Sequence, residues 1–149
     1  MVPSTHNTDP NRTAYTITVD AAEHVTTGIS ATDRSTTCVL LGTEGTKADD
    51  FRRPGHVVPL RAVEGGVRKR QGHTEAAVEF ARLAGFTPAV GIIAEVVETP
   101  EDVPGRGGEM TGVHMMRAPE CIAFGQKYGI KVVTIEHLKE YVESKEGKL

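Results

Sequence analysis

Residues 65–97, GGVRKRQGHTEAAVEFARLAGFTPAVGIIAEVV, decide the fold. From Thr74, apolar residues recur at helical spacing, and Gly85 is typical of a residue that ends a helix. The apolar stripe consists of Ala77, Phe80, Ala81 and Ala84. After Pro88, the continuous apolar run Ala89 to Val97 has the length and composition of a strand buried on both faces. This stretch therefore predicts a helix followed directly by a buried strand.

Further helix and strand patterns lie on both sides of this pair. Strands are predicted at Thr13 to Val19, which alternates and is rich in β-branched residues, at Val57 to Ala62, which Pro59 interrupts, and at Ile130 to Ile135. A helix is predicted at Ala31 to Leu41, capped by Ser30 or Thr32. A second is predicted at Pro119 to Tyr128, ending before Gly129. A third is predicted from its cap Thr134 through Tyr141, with Leu138, Tyr141 and Val142 on its packed face. Interleaved strands and helices predict an α/β (α+β) domain with sheet and helix layers.

Composition excludes several classes of protein. Among 149 residues, 17 are basic and 20 acidic, and the formal net charge of −3 argues against a general binder of nucleic acid or membrane surfaces. No apolar run approaches the roughly 20 residues that span a bilayer, and Met1 to Arg12 lacks the apolar region of a signal peptide. Cys38 and Cys121 are expected to be buried thiols rather than a disulfide. We therefore expect a cytoplasmic protein.

The glycine-rich basic turn before the long helix is a candidate anion site. Free backbone N–H groups and the positive end of the dipole favour an anion at a helix N-terminus. Arg70 lies four residues before Thr74, and Gly72 allows close approach of the backbone. A phosphate or carboxylate of a small molecule would fit here. A solvated basic turn is an equally good interpretation of these residues alone.

Two histidines and one glutamate are candidates for chemistry. His73, just before the helix, can be a metal ligand or a proton carrier. Glu95 is the one charge in its apolar run, so it should have a partner or a raised pKa. If helix and strand pack together, both lie near the anion site, which suggests metal-assisted acid–base work on a small phosphorylated substrate. His56 lies where a turn meets a strand, and such a lone histidine is usually structural.

Several motifs in the same order resemble those of the 3,4-dihydroxy-2-butanone 4-phosphate synthase family of riboflavin biosynthesis. The resemblance extends from about Asn7 to Tyr141. The motifs are TTGISATDR at 26–34, FRRPGHVVPLRA at 51–62, GGVRKRQGHTEA at 65–76, RAPEC at 117–121 and VVTI at 132–135.

The resemblance implies a lyase that converts ribulose 5-phosphate into 3,4-dihydroxy-2-butanone 4-phosphate and formate. It implies Mg²⁺ or Mn²⁺ as cofactor and a homodimer with its sites at the subunit interface. The implied fold is a layered α-β-α sandwich with a mixed sheet.

The resemblance also implies roles for individual residues. His73 would be a ligand of the divalent metal. His56 would be an essential residue of the catalytic site, and Glu95 would contact the sugar and act as acid or base. The substrate, including its phosphate end, would be held by Arg70, Gln71, Gly72, His73 and Thr74.

The sequence departs from the family pattern in two places. Residues 1–149 contain no match to the family's N-terminal portion, whose acidic loop by the resemblance supplies a glutamate ligand to the metal, and residues 99–112 are expected to be a surface insertion. We therefore expect residues 1–149 to be a single domain of this family without its N-terminal portion. A metal held by one histidine, substrate and water would bind weakly, because Mg²⁺ relies on carboxylates.

Two other functions remain open. The first is a catalytically inactive remnant that only dimerises or binds a phosphosugar. The second is a metal-dependent phosphohydrolase, which the anion site and His73 would suit, although the sequence has no second carboxylate cluster for metals.

Overall fold

The computed structural model describes residues 6–97 and 114–149. Both helices and strands are present, which confirms the α/β class. The strands are β1 (Ala14–Tyr15), β2 (Val19–Ala21), β3 (Phe51–Val57) and β4 (Leu60–Arg61). The helices are α1 (Ala31–Leu41), α2 (His73–Leu83), α3 (Ala118–Tyr128) and α4 (Ile135–Glu146), with 3-10 turns at Ala48–Asp50 and Gly66–Arg68. Strand β1 pairs with β4 and β2 pairs with β3, both antiparallel.

Helix α1 packs on the β2–β3 pair through a buried threonine. Ser30 caps the helix by accepting a hydrogen bond from Asp33 N, as the sequence predicted. Thr37 is fully buried, and its hydroxyl accepts from Ala21 N at 2.9 Å and donates to Asp33 O at 3.1 Å. The Thr37 hydroxyl thus provides the acceptor that the Ala21 N–H of β2 needs, and it fixes the position of α1 against this strand.

A small apolar cluster joins α2 and α4 to the 3-10 turn Gly66–Arg68. It consists of Val67, Ala76, Leu138 and Val142, with Ile135 packed against it. Thr134 caps α4 by accepting from His137 N, as predicted. Leu138 and Val142 were predicted to pack and are buried, whereas Tyr141 is 52% exposed. The cluster fixes the basic turn next to the start of α2.

The buried face of α2 differs from the predicted apolar stripe. Phe80 is 46% exposed and Ala84 is exposed, while Glu75 and Glu79 are buried on the opposite side. The periodicity predicted the helix, which ends before Gly85 at a φ of +84°. The periodicity did not predict which side of α2 is buried, because arginine partners allow carboxylates to occupy buried positions.

Three predicted strands are wrong or only partly right. Thr13 to Val19 is split, because the chain pairs first with β4 and then with β3, and Ile17 between them is 58% exposed. Ala89 to Val97 and Ile130 to Ile135 are not strands; within 6–97 and 114–149, the former makes one bridge, from Val97 to Met115. Strand composition is not enough where no neighbouring strand pairs with the backbone.

The predicted surface insertion at 99–112 lies outside the described residues. Cys38 and Cys121 are both free and half-buried, so they form no disulfide. Burial raises the pKa of the Cys38 thiol, and the nearby Arg34 opposes this shift. Within the part of the chain that the structure describes, no helix is long and apolar enough to cross a membrane.

We predict that Thr37→Val destabilises the protein by roughly 1–3 kcal/mol, because valine leaves Ala21 N buried without an acceptor. Its neighbour provides the control: the Thr36 hydroxyl donates an exposed hydrogen bond to Thr32 O, and Thr36→Val should change the free energy of unfolding by less than about 0.5 kcal/mol. Urea unfolding followed by circular dichroism measures both. Equal effects of the two substitutions would contradict this role of Thr37.

Candidate functional site

A buried carboxylate holds His56 in place. Asp20 in β2 accepts two hydrogen bonds from this residue: its Oδ1 accepts from His56 N at 2.8 Å, and its Oδ2 lies 2.7 Å from His56 Nδ1. The Asp20 side chain is 9% exposed and the imidazole is 39% exposed. With Nδ1–H donated to the carboxylate, Nε2 is the ring nitrogen left to exchange a proton with a ligand.

An irregularity in the β2–β3 pair brings these two residues together. Val19 pairs with Val57 but Asp20 pairs with Arg52, so residues 53–56 bulge from the ladder. Gly55 lies in this bulge, and a Cβ on it would come within 2.0 Å of Val19 C. The bulge turns His56 back over Asp20, and glycine is needed for that close approach.

Asp20 remains ionised across the physiological pH range. Burial by itself would raise the pKa of its carboxyl group, but hydrogen bonds from the backbone and ring of His56, together with the charges of His56 and Arg52, outweigh it. The resulting pKa lies below its ordinary value. The carboxylate therefore serves as a fixed acceptor that selects the orientation of the imidazole.

The hydroxyl-rich loop 26–33 folds over the Asp20–His56 pair. Gly28, at a φ of +92°, lies so close that a Cβ would be 2.1 Å from Asp20 Oδ2 and 2.7 Å from His56 Nδ1. The buried Asp33 holds the loop, since its Oδ2 accepts from Thr26 Oγ1 at 2.7 Å and from Gly28 N at 3.0 Å. The hydrogen bond from Thr26 contributes most to the lowered pKa of Asp33, against the effect of burial.

Sequence reasoning included this loop in the motif at 26–34 but missed Asp20 and Asp33 as its organisers. The signal was available in part. Both are acids in or beside segments predicted to be regular, and a buried acid requires partners.

Arg70 in the basic turn uses most of its N–H donors in hydrogen bonds to other residues of the chain. Its Nε and Nη2 donate to Asn11 O at 3.1 and 3.0 Å, and Nη2 also donates to Thr13 Oγ1 at 3.2 Å. Its Nη1 donates to the buried Glu75 carboxylate. Of its five N–H donors, these contacts leave one hydrogen on Nη1 free of a partner within 6–97 and 114–149. The arginine therefore connects the segment before β1 to the start of α2.

The other residues of the predicted substrate site surround the first turn of α2. Gly72 is the N-cap residue and offers no side-chain cap to the first turn, and His73 is the first helical residue. Gln71 and His73 are exposed, whereas Thr74 is buried. Uncapped N–H groups at the start of an 11-residue helix beside an arginine are suited to an oxyanion.

His73 and the segment after α2 line one apolar groove. Gly91 packs on the backbone of Ala77, and the groove between α2 and residues 86–93 has a volume of about 490 Å³, with His73 among its lining residues. Glu95 is two residues beyond this lining and is exposed. The sequence predicted that Glu95 is buried, with a partner or a raised pKa. The burial is wrong, because its segment lies in no sheet and the side chain is exposed.

The described residues do not form a complete metal site. No group of three or more His, Cys, Asp or Glu side chains able to hold a metal is found within 6–97 and 114–149. His73 is accessible and can supply one nitrogen ligand, but Mg²⁺ prefers several oxygen ligands. Within the same ranges, no hydrogen bond or ion pair joins His56, His73 and Glu95 to one another, and His56 is bonded instead to Asp20.

Comparisons with known proteins agree on one family. The profile described as 3,4-dihydroxy-2-butanone 4-phosphate synthase matches residues 1–141. A synthase of that name from Pyricularia oryzae is 53% identical over 147 residues, which cover 97% of this chain and 62% of the relative. The riboflavin biosynthesis protein RibBA of Nocardia farcinica is 44% identical, over 96% of this chain and 34% of its own length.

Solved structures agree with the sequences. A crystal structure of 3,4-dihydroxy-2-butanone 4-phosphate synthase in complex with two magnesium ions superposes with a TM-score of 0.79 at 48% identity, covering 97% of this chain and 67% of that one. Measured against three synthases from Pyricularia oryzae, Pasteurella multocida and Schizosaccharomyces pombe, the chain spans 58–63% of their lengths. On the sequence profile, the identities and the fold together, the chain belongs to the 3,4-dihydroxy-2-butanone 4-phosphate synthase family.

Proposed function

We propose that the chain contributes catalytic residues to a lyase that converts ribulose 5-phosphate into 3,4-dihydroxy-2-butanone 4-phosphate and formate in riboflavin biosynthesis. The observation that carries the proposal is the Asp20–His56 pair beneath the glycine loop. Residues 1–149 then form one domain of the family, with 99–112 inserted at its surface. The enzyme acts in the cytoplasm as a homodimer and uses Mg²⁺ or Mn²⁺.

The geometry of the pair is suited to proton transfer. Enolisation of a ketose, which activates its carbon skeleton for rearrangement and cleavage, requires a base that removes a proton beside the carbonyl group. His56 is half-exposed on a fixed backbone, and the buried Asp20 both orients its ring and stabilises the positive charge that a captured proton creates. Nε2 of His56 is therefore the atom that takes up and returns the proton.

The α2 N-terminus provides the substrate-binding part of the site. The first N–H groups of α2, the Thr74 hydroxyl and the remaining Nη1 hydrogen of Arg70 are donors for the phosphate end, and Gln71 lies beside them. Glu95 contacts the sugar hydroxyls and acts as a second acid or base once its segment is paired. His73 would be one ligand of the divalent cation, which supplies electrostatic stabilisation of negative charge on the substrate oxygens.

An inactive remnant that dimerises or binds a phosphosugar is the second candidate. It is favoured by the absence of a three-ligand cluster within 6–97 and 114–149 and by the exposure of Glu95. Formate release distinguishes it from the lyase.

In a fusion that adds the part of the Pyricularia oryzae relative outside the matched region, we expect His56→Gln to lower kcat for formate release about 10²–10⁴-fold, the usual contribution of a general acid–base residue. Asp20→Asn should act in the same direction, because His56 N and Nδ1 bond to different oxygens of Asp20, and one of these becomes an NH2 donor in the amide. Stopped assays of formate against ribulose 5-phosphate measure both. His24→Gln, at an exposed position, is the control and should leave kcat within about twofold of wild type. Full activity of the His56 variant would exclude its proposed role.

The pH dependence of stability tests the contact between Asp20 and His56 independently of activity. Because the folded pKa lies below the ordinary 3.8, the stabilisation is present above that pH and is lost as pH falls through the folded pKa. As pH falls below about 4, urea unfolding should therefore show a larger loss of stability for wild type than for Asp20→Asn. Asp49→Asn, at an exposed site, should keep the wild-type dependence. Identical curves for wild type and Asp20→Asn would contradict this role of the carboxylate.

Metal dependence is tested in two proteins: this chain, and a fusion that adds the part of the Pyricularia oryzae relative outside the matched region. With Mg²⁺, we expect clear formate release from the fusion and little or none from the chain alone, because His73 by itself holds the cation weakly. His73→Ala should abolish turnover of the fusion. His137→Ala, on the first turn of α4 and equally exposed, should not. An inactive fusion would favour the remnant.

A further inference from the structure

Two buried glutamates lie one turn apart on the inner face of α2, each paired with an arginine. Glu75 pairs with Arg70 and its side chain is 1% exposed. Glu79 pairs with Arg82 and its side chain is 8% exposed. Burying a carboxylate is costly unless it is paired, so losing either arginine would leave an uncompensated buried charge. Only the Glu75 pair lies at the candidate substrate site.

Both oxygens of Glu75 are engaged. Oε1 accepts from Val63 N at 2.9 Å, and Oε2 accepts from Arg70 Nη1. The carboxylate is thereby fixed between the chain leading into the basic turn and the guanidinium group. A charged acceptor in a site without water holds its donor more firmly than a neutral one does.

The Arg70 guanidinium lies directly over the N-cap of α2. A Cβ added to Gly72 would be 2.2 Å from Arg70 Nη1 and 2.5 Å from Glu75 Oε2. The backbone of Gly72, at a φ of −109°, is open to any residue, so glycine is required for the space that the ion pair occupies. The free Nη1 hydrogen and the uncapped N–H groups of the first turn therefore belong to one donor group.

We propose that Glu75 is a positioning residue, which holds Arg70 at the α2 N-terminus so that it discriminates phosphorylated from unphosphorylated ribulose. The inference rests on the proposed function, because it assigns the phosphate end of the substrate to this donor group. Glu75 itself touches no substrate. It fixes the arginine in advance, so binding loses less side-chain entropy.

The test is binding of D-ribulose 5-phosphate and of D-ribulose to the 149-residue protein, measured by isothermal titration calorimetry with Mg²⁺ present. Glu75→Gln should weaken ribulose 5-phosphate binding about tenfold, the value of one charge-assisted hydrogen bond, and leave D-ribulose binding unchanged. Glu79→Gln is the matched control. It removes an equally buried partner of an arginine on the same helix, so it should lower thermal stability but keep the Kd for ribulose 5-phosphate within about twofold.

A double-mutant cycle tests whether Glu75 acts through Arg70. On an Arg70→Lys background, Glu75→Gln should add less than about a twofold further loss in affinity. Gly72→Ala keeps both charged groups but places a methyl group where the guanidinium lies, and should reproduce the loss if the Glu75 variant does not fold.

Three results would overturn the inference alone while wild type binds the phosphosugar. They are an unchanged Kd in Glu75→Gln, equal losses in the Glu75 and Glu79 variants, and full additivity with Arg70→Lys. Wild-type protein that binds neither sugar would overturn the proposed function as well.

Discussion

The contact between the buried Asp20 carboxylate and His56 is the constraint on which the candidate catalytic site depends. It requires a bulge, since Asp20 pairs with Arg52 while Val19 pairs with Val57. The bulge requires Gly55, and the loop closing over the pair requires Gly28. Two glycines and one acid therefore determine where a single imidazole lies. The residue types at Gly28 and Gly55 are therefore restricted by the space available, since a Cβ at either position would clash with its neighbours.

Buried carboxylates also fix the positions of side chains in the second half of the described structure. Within 6–97 and 114–149, five acids are buried: Asp20, Asp33, Glu75, Glu79 and Glu120. Val67, Leu138 and Val142 form most of the α2–α4 cluster. Charged pairs specify position more than they add stability, because desolvation offsets much of their attraction. Both candidate sites are built on such pairs, which makes the geometry of His56 and of Arg70 sensitive to the loss of a single carboxylate.

Local signals in the sequence were sufficient for the helices and insufficient for the strands. Ser30, Thr134 and Gly129 mark helix ends through contacts within a few residues, so their roles could be predicted and are observed. Strands depend on partners distant in sequence, and Ala89 to Val97 has none beyond one bridge within 6–97 and 114–149. Motifs indicated His56 and His73. Asp20 and Glu75 were missed because the register of β2 and the arginine-facing side of α2 follow from tertiary contacts, which periodicity does not contain.

The absence of the predicted strand at Ala89 to Val97 and the exposed position of Glu95 have one physical cause. Ile92 is 75% exposed and Ile93 is 45% exposed in a run whose composition suits a strand buried on both faces. Apolar area contributes about 25 cal/mol per Å² when it leaves water, so pairing of this segment would be favourable. Gly91 already fixes one point of it against Ala77, on the same helix that begins at His73. Pairing the rest would fix Glu95 on this frame, so burial of the apolar run and placement of Glu95 are coupled.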